Sequence, residues 1–340
     1  MDAFLSAITT HLPDKVVTNE QLQAENEDWD LARIASKTGI ESRHIARETE
    51  TAGDLAYLAG RKLLDVVAVR PNSIDYLIYC TQSPDYVLPA TACVLQHRLG
   101  LSKNCAAIDI NQGCSGYVYA LHLARALVVS GSARNVLLLT GETYSKYIHP
   151  RDRSVRVLFG DAATASLISA DGPGAKIGDA CLGTDGSGAH NLMVGKRGAC
   201  TPNHVNQSEK GADEGGLLRS AADLYMNGEQ LFAFALRQVP ELVQETLVKS
   251  GLTTDQVQWF VFHQANAFMN RSLGGRLNID AARMPTFLKF VGNTVSNTIP
   301  LTIADCHHQF ASGDKVMLVG FGVGYSWGAC IITWGPILSA

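Results

Sequence analysis

Residues 114–131, CSGYVYALHLARALVVSG, carry the strongest constraint in the chain. Val118, Leu121, Ala124 and Val128 recur at helical spacing, and most of the positions between them are apolar too. His122 and Arg125 are the clear exceptions. A helix that is apolar nearly all round belongs in a protein interior, because no polar face is left to meet water. Ser130-Gly131 supplies its stop, with glycine suited to a left-handed cap. Whatever this chain folds into has to enclose that helix.

Short β-like runs alternate with helical stretches. The strand candidates are DYLIYC (75–80), AAIDI (106–110), NVLLLT (135–140), ATASLIS (163–169), WFVFH (259–263), KVMLVG (315–320) and ACIITW (329–334). Several are continuous apolar runs, as expected of strands buried on both faces. The pattern predicts an α/β protein. SIDYLIYCTQ (73–82) resembles VQWFVFHQA (257–265), and each is followed by a glycine-led turn, a helix, Ser-Gly and an apolar strand. Two similar halves would explain this, and so would chance likeness between two βαβ units. Residues 184–222 are polar, Gly-rich and weakly periodic, and read as a surface excursion: a lid, an interface arm or a plain loop.

Composition excludes several classes. Lys plus Arg number 28 and Asp plus Glu 32, a formal charge of −4, which gives no phosphate-neutralising field and speaks against a nucleic-acid partner. With 46% hydrophobic and 18% charged residues the chain is too apolar for disorder. At 340 residues it has room for one large domain or two packed halves. The eight cysteines include no C-x-x-C pair, so zinc-ribbon, iron–sulfur and thioredoxin readings lack their spacing. No run approaches the ~18 apolar residues of a membrane span. MDAFLSAITTHLPDK has no basic and long apolar segments of a secretory signal, so a cytoplasmic protein with reduced thiols is expected, without membrane association.

Four elements could carry chemistry. Cys114 follows the strand-like AAIDI and the turn Asn111-Gln112-Gly113, and it opens the apolar helix. A thiol there meets the positive end of the helix dipole and free N–H groups, which favour the nucleophilic thiolate. Gly113 and Gly116 would let another group approach the sulfur. His263 stands at a strand end, where open α/β sheets place functional groups, and can move protons near neutral pH. Asn293, in FVGNTVSNTIP, could donate an amide hydrogen to a carbonyl oxygen. Taken singly, each has a plainer reading as an inert thiol, a satisfied histidine and a turn asparagine.

The fourth element is Gly320–Gly328, GFGVGYSWG. It fails the dinucleotide pattern G-x-G-x-x-G at Tyr325, and a strand rather than a helix follows. A dinucleotide oxidoreductase is therefore disfavoured. Such a loop suits close backbone approach to a ligand, with N–H groups free for an oxyanion. It also contains a formal G-x-S-x-G, but a nucleophilic Ser326 would need a helix after the turn. Cys306-His307-His308 resembles a metal cluster only superficially, since adjacent helical residues point apart.

Cys, His, Asn and the glycine loop, in this order, resemble the β-ketoacyl-acyl-carrier-protein synthase III family of the thiolase superfamily. Thr38-Gly-Ile-Glu-Ser-Arg-His44 resembles the family's T-G-I-x-x-R-H, and Cys114-Ser-Gly its C-[AS]-G. DRSVRVLFGDAATASLIS (152–169), HQAN (263–266), GNT (292–294) and GFGVGYSWG complete the set over nearly the whole chain.

The resemblance implies a five-layered α-β-α-β-α thiolase-like fold of two duplicated halves, 1–180 and 223–340, with 181–222 as the excursion, and usually a homodimer. It implies that Cys114 takes an acyl group from acyl-CoA, while His263 and Asn293 hold a malonyl thioester on acyl carrier protein and stabilise the enolate left by decarboxylation. The backbone N–H groups of Cys114 and Val323 would form the oxyanion hole. Leu88, Arg33, Arg153 and Asn266 fall at substrate-contact positions. No cofactor or metal is implied beyond the thioester substrates. Acyl transfer to an alcohol or amine, and a non-catalytic subunit of a heterodimer, are the competing readings. The chain departs from the family pattern at Val323, where glycine is usual, and at Gln112-Gly113, where Ala-Ala is common. It departs again at Arg33, in place of a tryptophan, and at Ala233 and Phe268, in place of basic residues.

Overall fold

The computed structural model describes residues 1–67, 69–195, 220 and 222–339. Most of the excursion therefore lies outside the described residues. Its flanks pair as two short strands, Leu192–Met193 with Tyr225–Met226.

All seven expected strands form. In the N-terminal half Tyr76–Cys80 runs parallel to both Ala106–Ile110 and Asn135–Glu142. Asn135–Glu142 then pairs antiparallel with Ala162–Ser169, which pairs antiparallel with Phe4–His11. The C-terminal half repeats the series. Trp259–Phe262 is parallel to Lys315–Gly322, followed antiparallel by Ser326–Thr333 and antiparallel by Ala175–Thr184. The same directions in the same order decide for duplication over chance. The halves are stitched where Phe4 and Leu5 pair with Lys176 and Ala175, giving one ten-stranded sheet. A boundary at 180 would cut the continuous strand Ala175–Thr184, which belongs to the C-terminal series. The seam lies just before it.

Strand alternation then builds the layers. Ile78, Cys80, Val136 and Leu138 from one half and Val261, Val316 and Leu318 from the other pack on the two central helices, Gly116–Val129 and Thr298–Cys306. The alternate residues Leu77, Tyr79, Leu137 and Leu139 pack outward on helices Ala52–Val67 and Thr91–Arg98. Phe260, Phe262, Met317 and Val319 face helices Gly228–Ser250 and Ala267–Leu277. The result is the α-β-α-β-α layering of a thiolase-like fold.

Two expectations are modified. The helix Gly116–Val129 buries Val118, Leu121, Ala124 and Val128, but Leu123 and Val129 are 41% and 38% exposed. AAIDI is a sheet-edge strand with Ile108 half-open, not a doubly buried one. Apolar surface is thus left bare on this helix and on the edge strand. Among the described residues no helix is long and apolar enough to cross a membrane.

Candidate active site

Cys114 sits between the turn after Ile110 and the first residue of its helix, Gly116, and is buried. The glycines around it mark how tightly the two halves meet there. A Cβ placed on Gly322 would lie 2.7 Å from Cys114 Cβ and 2.9 Å from its sulfur, and one on Gly320 would lie 2.8 Å from Ser115 Cα. The glycine-rich strand is therefore pressed face-on against the nucleophile turn, and the close approach is to the protein itself. A Cβ on Gly113 would meet Gln82 Oε1 at 2.3 Å and Val323 Cγ1 at 2.8 Å. On Gly116 it would meet Cys80 Sγ at 2.5 Å. Gly113 stands directly against Val323, so two departures from the family pattern are neighbours in space.

His263 follows Trp259–Phe262, and its backbone N–H donates to the Val319 carbonyl at 2.7 Å. Its ring Nδ1 lies 2.7 Å from Thr298 Oγ1. Asn293 is anchored at both backbone ends: its N–H donates to Leu158 O at 2.8 Å and its carbonyl accepts from Gly160 N at 3.1 Å. Its side-chain Oδ1 accepts from Val295 N at 3.0 Å. That fixes the amide so that Nδ2, the donor end, is the end left over. Val295 holds φ +58°, a left-handed conformation that costs a β-branched residue about 1–3 kcal/mol. The turn it makes presents its carbonyl to Thr298 at 3.0 Å. Cys114, His263 and Asn293 line one cavity of about 90 Å³, together with Asn266, Phe321 and Gly322.

Burial governs the electrostatics. The Cys114 thiol is pushed up to about 12 by desolvation and then by Glu142, against the pull of the Val323 and Cys114 backbone N–H groups. The expected thiolate is thus overturned at rest: loss of water outweighs the helix terminus. His263 is driven down to about 3 by burial and is a neutral imidazole. The resting pair is thiol and imidazole, both uncharged. Glu142 is fully buried and raised to about 8 by desolvation, with hydrogen bonds from Ser296, Gln82 and Ser83.

Of Asn266, Arg33, Arg153 and Leu88, Asn266 alone shares the cavity with the sulfur. Asn266 lines the cavity, and its Oδ1 caps the helix Ala267–Leu277 through Met269 N at 2.8 Å. Arg33 and Arg153 are exposed, and neither lines this cavity. Leu88 is 80% exposed, next to Tyr86 and Val87 at 58% and 85%. Tyr86 and Val87 line a larger cavity of about 660 Å³ that reaches Val323, Tyr144 and Gln82. Val323 does not hold a positive φ, so its backbone conformation does not require glycine. Thr298, Glu142, Gln82 and Tyr144 complete the surroundings. Only their position in the fold reveals them.

Residues 108–186 match the family model described as 3-oxoacyl-[acyl-carrier-protein] synthase III, and 247–334 match its C-terminal model. A crystal structure of 3-oxoacyl-(acyl-carrier-protein) synthase III is 44% identical, with 98% of this chain and 100% of that chain covered and a TM-score of 0.92. The chain belongs to the 3-oxoacyl-acyl-carrier-protein synthase III family. The synthase from Burkholderia xenovorans LB400 is 36% identical over 100% of this chain and 97% of that chain, with a TM-score of 0.92. Synthase III from Pseudomonas aeruginosa PAO1 is 30% identical over 99% and 100%, with a TM-score of 0.85. As a synthase III family member the chain is a transferase of the thiolase superfamily. The Cys114 turn and the glycine strand lie inside the two matched segments.

Proposed function

We propose that the protein condenses an acyl thioester with a malonyl thioester, with loss of CO2, through an acyl-Cys114 intermediate. The observation that carries this is the convergence of Cys114, His263 and Asn293 on one small buried cavity, with the donor end of Asn293 unbonded among the described residues.

In the first half-reaction His263 takes the thiol proton at Nε2 while sulfur attacks the thioester carbon of acyl-CoA. The N–H groups of Cys114 and Val323 hold the oxyanion; the CoA thiolate leaves and takes the proton back from His263. A covalent thioester separates loading from carbon–carbon bond formation. In the second half-reaction the malonyl carbon–carbon bond breaks, CO2 leaves, and the electron pair moves onto the thioester oxygen. His263 and Asn293 stabilise that enolate as neutral donors, without an acidic proton that would quench it; one such donor is worth ~10²–10³ in rate. The enolate carbon attacks acyl-Cys114, the carbon–sulfur bond breaks, and the departing thiolate takes a proton from solvent.

Acyl-CoA and a malonyl group on acyl carrier protein are the substrates this reading assigns, in fatty-acid initiation or a specialised acyl pathway. A homodimer is the assembly, because Leu123, Ile108 and the Tyr86–Leu88 loop leave apolar surface that a second copy would cover. Acyl-CoA should add its acyl mass to Cys114, and malonyl-carrier should then release a 3-oxoacyl product and CO2. A Cys114→Ala protein that made product at the wild-type rate would sink the proposal. Loading that passes to an alcohol or amine without CO2 release would replace it with ester or amide formation.

A further inference from the structure

Ser326 is the serine of Gly324-Tyr-Ser-Trp-Gly328, and the strand Ser326–Thr333 that it opens removes it from hydrolase chemistry. Its hydroxyl is nevertheless 1% exposed and fully engaged. Oγ lies 2.7 Å from the Val323 carbonyl oxygen, 2.7 Å from Ser115 Oγ and 3.2 Å from Gln112 Oε1. Ser115 is itself completely buried. Val323 follows Gly322, where a Cβ would lie 2.9 Å from the Cys114 sulfur, and Gln112 and Ser115 lie on either side of Cys114 in the chain. One hydroxyl therefore joins the glycine loop of the C-terminal half to both sides of the nucleophile in the N-terminal half.

A serine hydroxyl has one proton to give and two lone pairs. The Val323 carbonyl cannot donate, so the shorter of the two acceptor contacts takes the Ser326 proton. Ser115 then donates to Ser326 Oγ. The bond fixes the Val323–Gly324 peptide, which is joined through the Val323 Cα to the peptide that carries the Val323 N–H, and so holds in place the residue that presents that N–H. Val323 stands between Gly322 and Gly324, the latter at φ +139°, so the loop has little stiffness of its own. An oxyanion donor works only within ~2.7–3.1 Å of the developing charge.

We propose that Ser326 is a positioning residue that clamps the Val323 peptide to the Gln112–Ser115 turn and so sets the spacing of the oxyanion hole. The proposal deepens the function above and rests on Val323 serving as an oxyanion donor. The rival is a satisfied buried serine that contributes stability alone.

The test compares wild type with S326A, S115A, the double variant and S326T. Three measurements are made: Cys114 alkylation by iodoacetamide against pH, kcat and KM for acyl-CoA loading followed by mass spectrometry, and Tm. S326A is expected to keep KM within about twofold while kcat falls about 10–100-fold, less than the full loss of an oxyanion donor. Its alkylation curve moves to higher pH because the Val323 N–H no longer steadies the thiolate. S326T recovers most of kcat. S115A loses less than S326A, and the double variant is no slower than S326A, because both act through one chain of bonds. Unchanged kcat and alkylation in S326A overturns the clamp, as does a kcat that tracks Tm alone with no recovery in S326T. Wild-type protein that takes no acyl group overturns the proposed function instead, and the alkylation curves still decide the clamp.

Discussion

His263 Nδ1 lies 2.7 Å from the hydroxyl oxygen of Thr298, and that hydroxyl lies 3.0 Å from the carbonyl oxygen of Val295. The threonine proton has two places to go. When it goes to Val295, Nδ1–H donates to Thr298 and Nε2 is bare, the form that accepts a proton from Cys114. When it goes to Nδ1, Nε2 carries the hydrogen, the form that donates to an enolate oxygen. The two proposed half-reactions ask for opposite tautomers of a neutral ring; rotation of one hydroxyl moves no ring proton, but it gives either tautomer a matching partner at Nδ1.

Thr298→Val keeps the shape and removes this choice. Nδ1 then loses the hydroxyl that serves it. Loading of Cys114 is expected within a few-fold of wild type, while malonyl-dependent product formation falls about tenfold, the scale of one hydrogen bond. Thr298→Ser restores it. Half-reactions that fall together in the valine variant would count against the tautomer argument.

Glu142 makes stability depend on pH in a stated direction. Its carboxyl is raised from 4.5 to about 8 by burial. The folded chain keeps this proton over a range where the unfolded chain releases it. The stability it contributes is complete below about pH 4.5 and is lost as pH rises through about 8. Glu142→Gln mimics the protonated form at every pH. Urea unfolding at pH 5 and pH 9 should show the variant gaining on wild type at the higher pH. A difference that stays flat between the two would remove Glu142 as the source.

Asn293→Asp separates anchoring from donation. Oδ1 can still accept from Val295 N, but the free end becomes an oxygen that repels an enolate. Condensation is expected to fall by at least ~10²–10³, the usual cost of one such donor. Acylation of Cys114 changes only a few-fold, since Asn293 has no part in it. Equal losses in both half-reactions would mean the substitution disturbed the Leu158–Asn293–Gly160 backbone link instead.

What was readable along the chain was what local pattern controls. Seven strands announced themselves as apolar runs. Phe4–His11 and Ala175–Thr184 did not, because Ser6, Thr9, Thr10, Lys176 and Asp179 interrupt them; they become strands through long antiparallel pairings with Ala162–Ser169 and Ser326–Thr333. The contexts of Cys114, His263 and Asn293 were legible as a resemblance. Their supports were not. Thr298 is 35 residues from His263, Ser296 is 154 from Glu142, and Ser326 is 211 from Ser115. The thiolate expectation failed for a related reason: the helix terminus is visible locally, whereas the desolvation that outweighs it is set by the whole enclosure.

Gly113 and Val323 supply a last test, because each departs from the family pattern and the two touch. Alanine at 113 would place its Cβ 2.8 Å from Val323 Cγ1 and 2.3 Å from Gln82 Oε1, the acceptor of the Tyr144 hydroxyl. The glutamine end can swing aside. The valine methyl sits on the loop that carries the proposed oxyanion N–H, so a backbone shift that relieves the contact displaces that donor. Gly113→Ala alone is therefore expected to slow acyl loading about tenfold, and Val323→Gly alone by less. The double variant G113A/V323G, which restores the common small-residue arrangement, should load faster than G113A. Contacting residues couple by about 0.5–3 kcal/mol in such cycles. Losses that simply add in the double variant would show that the two positions do not share this space.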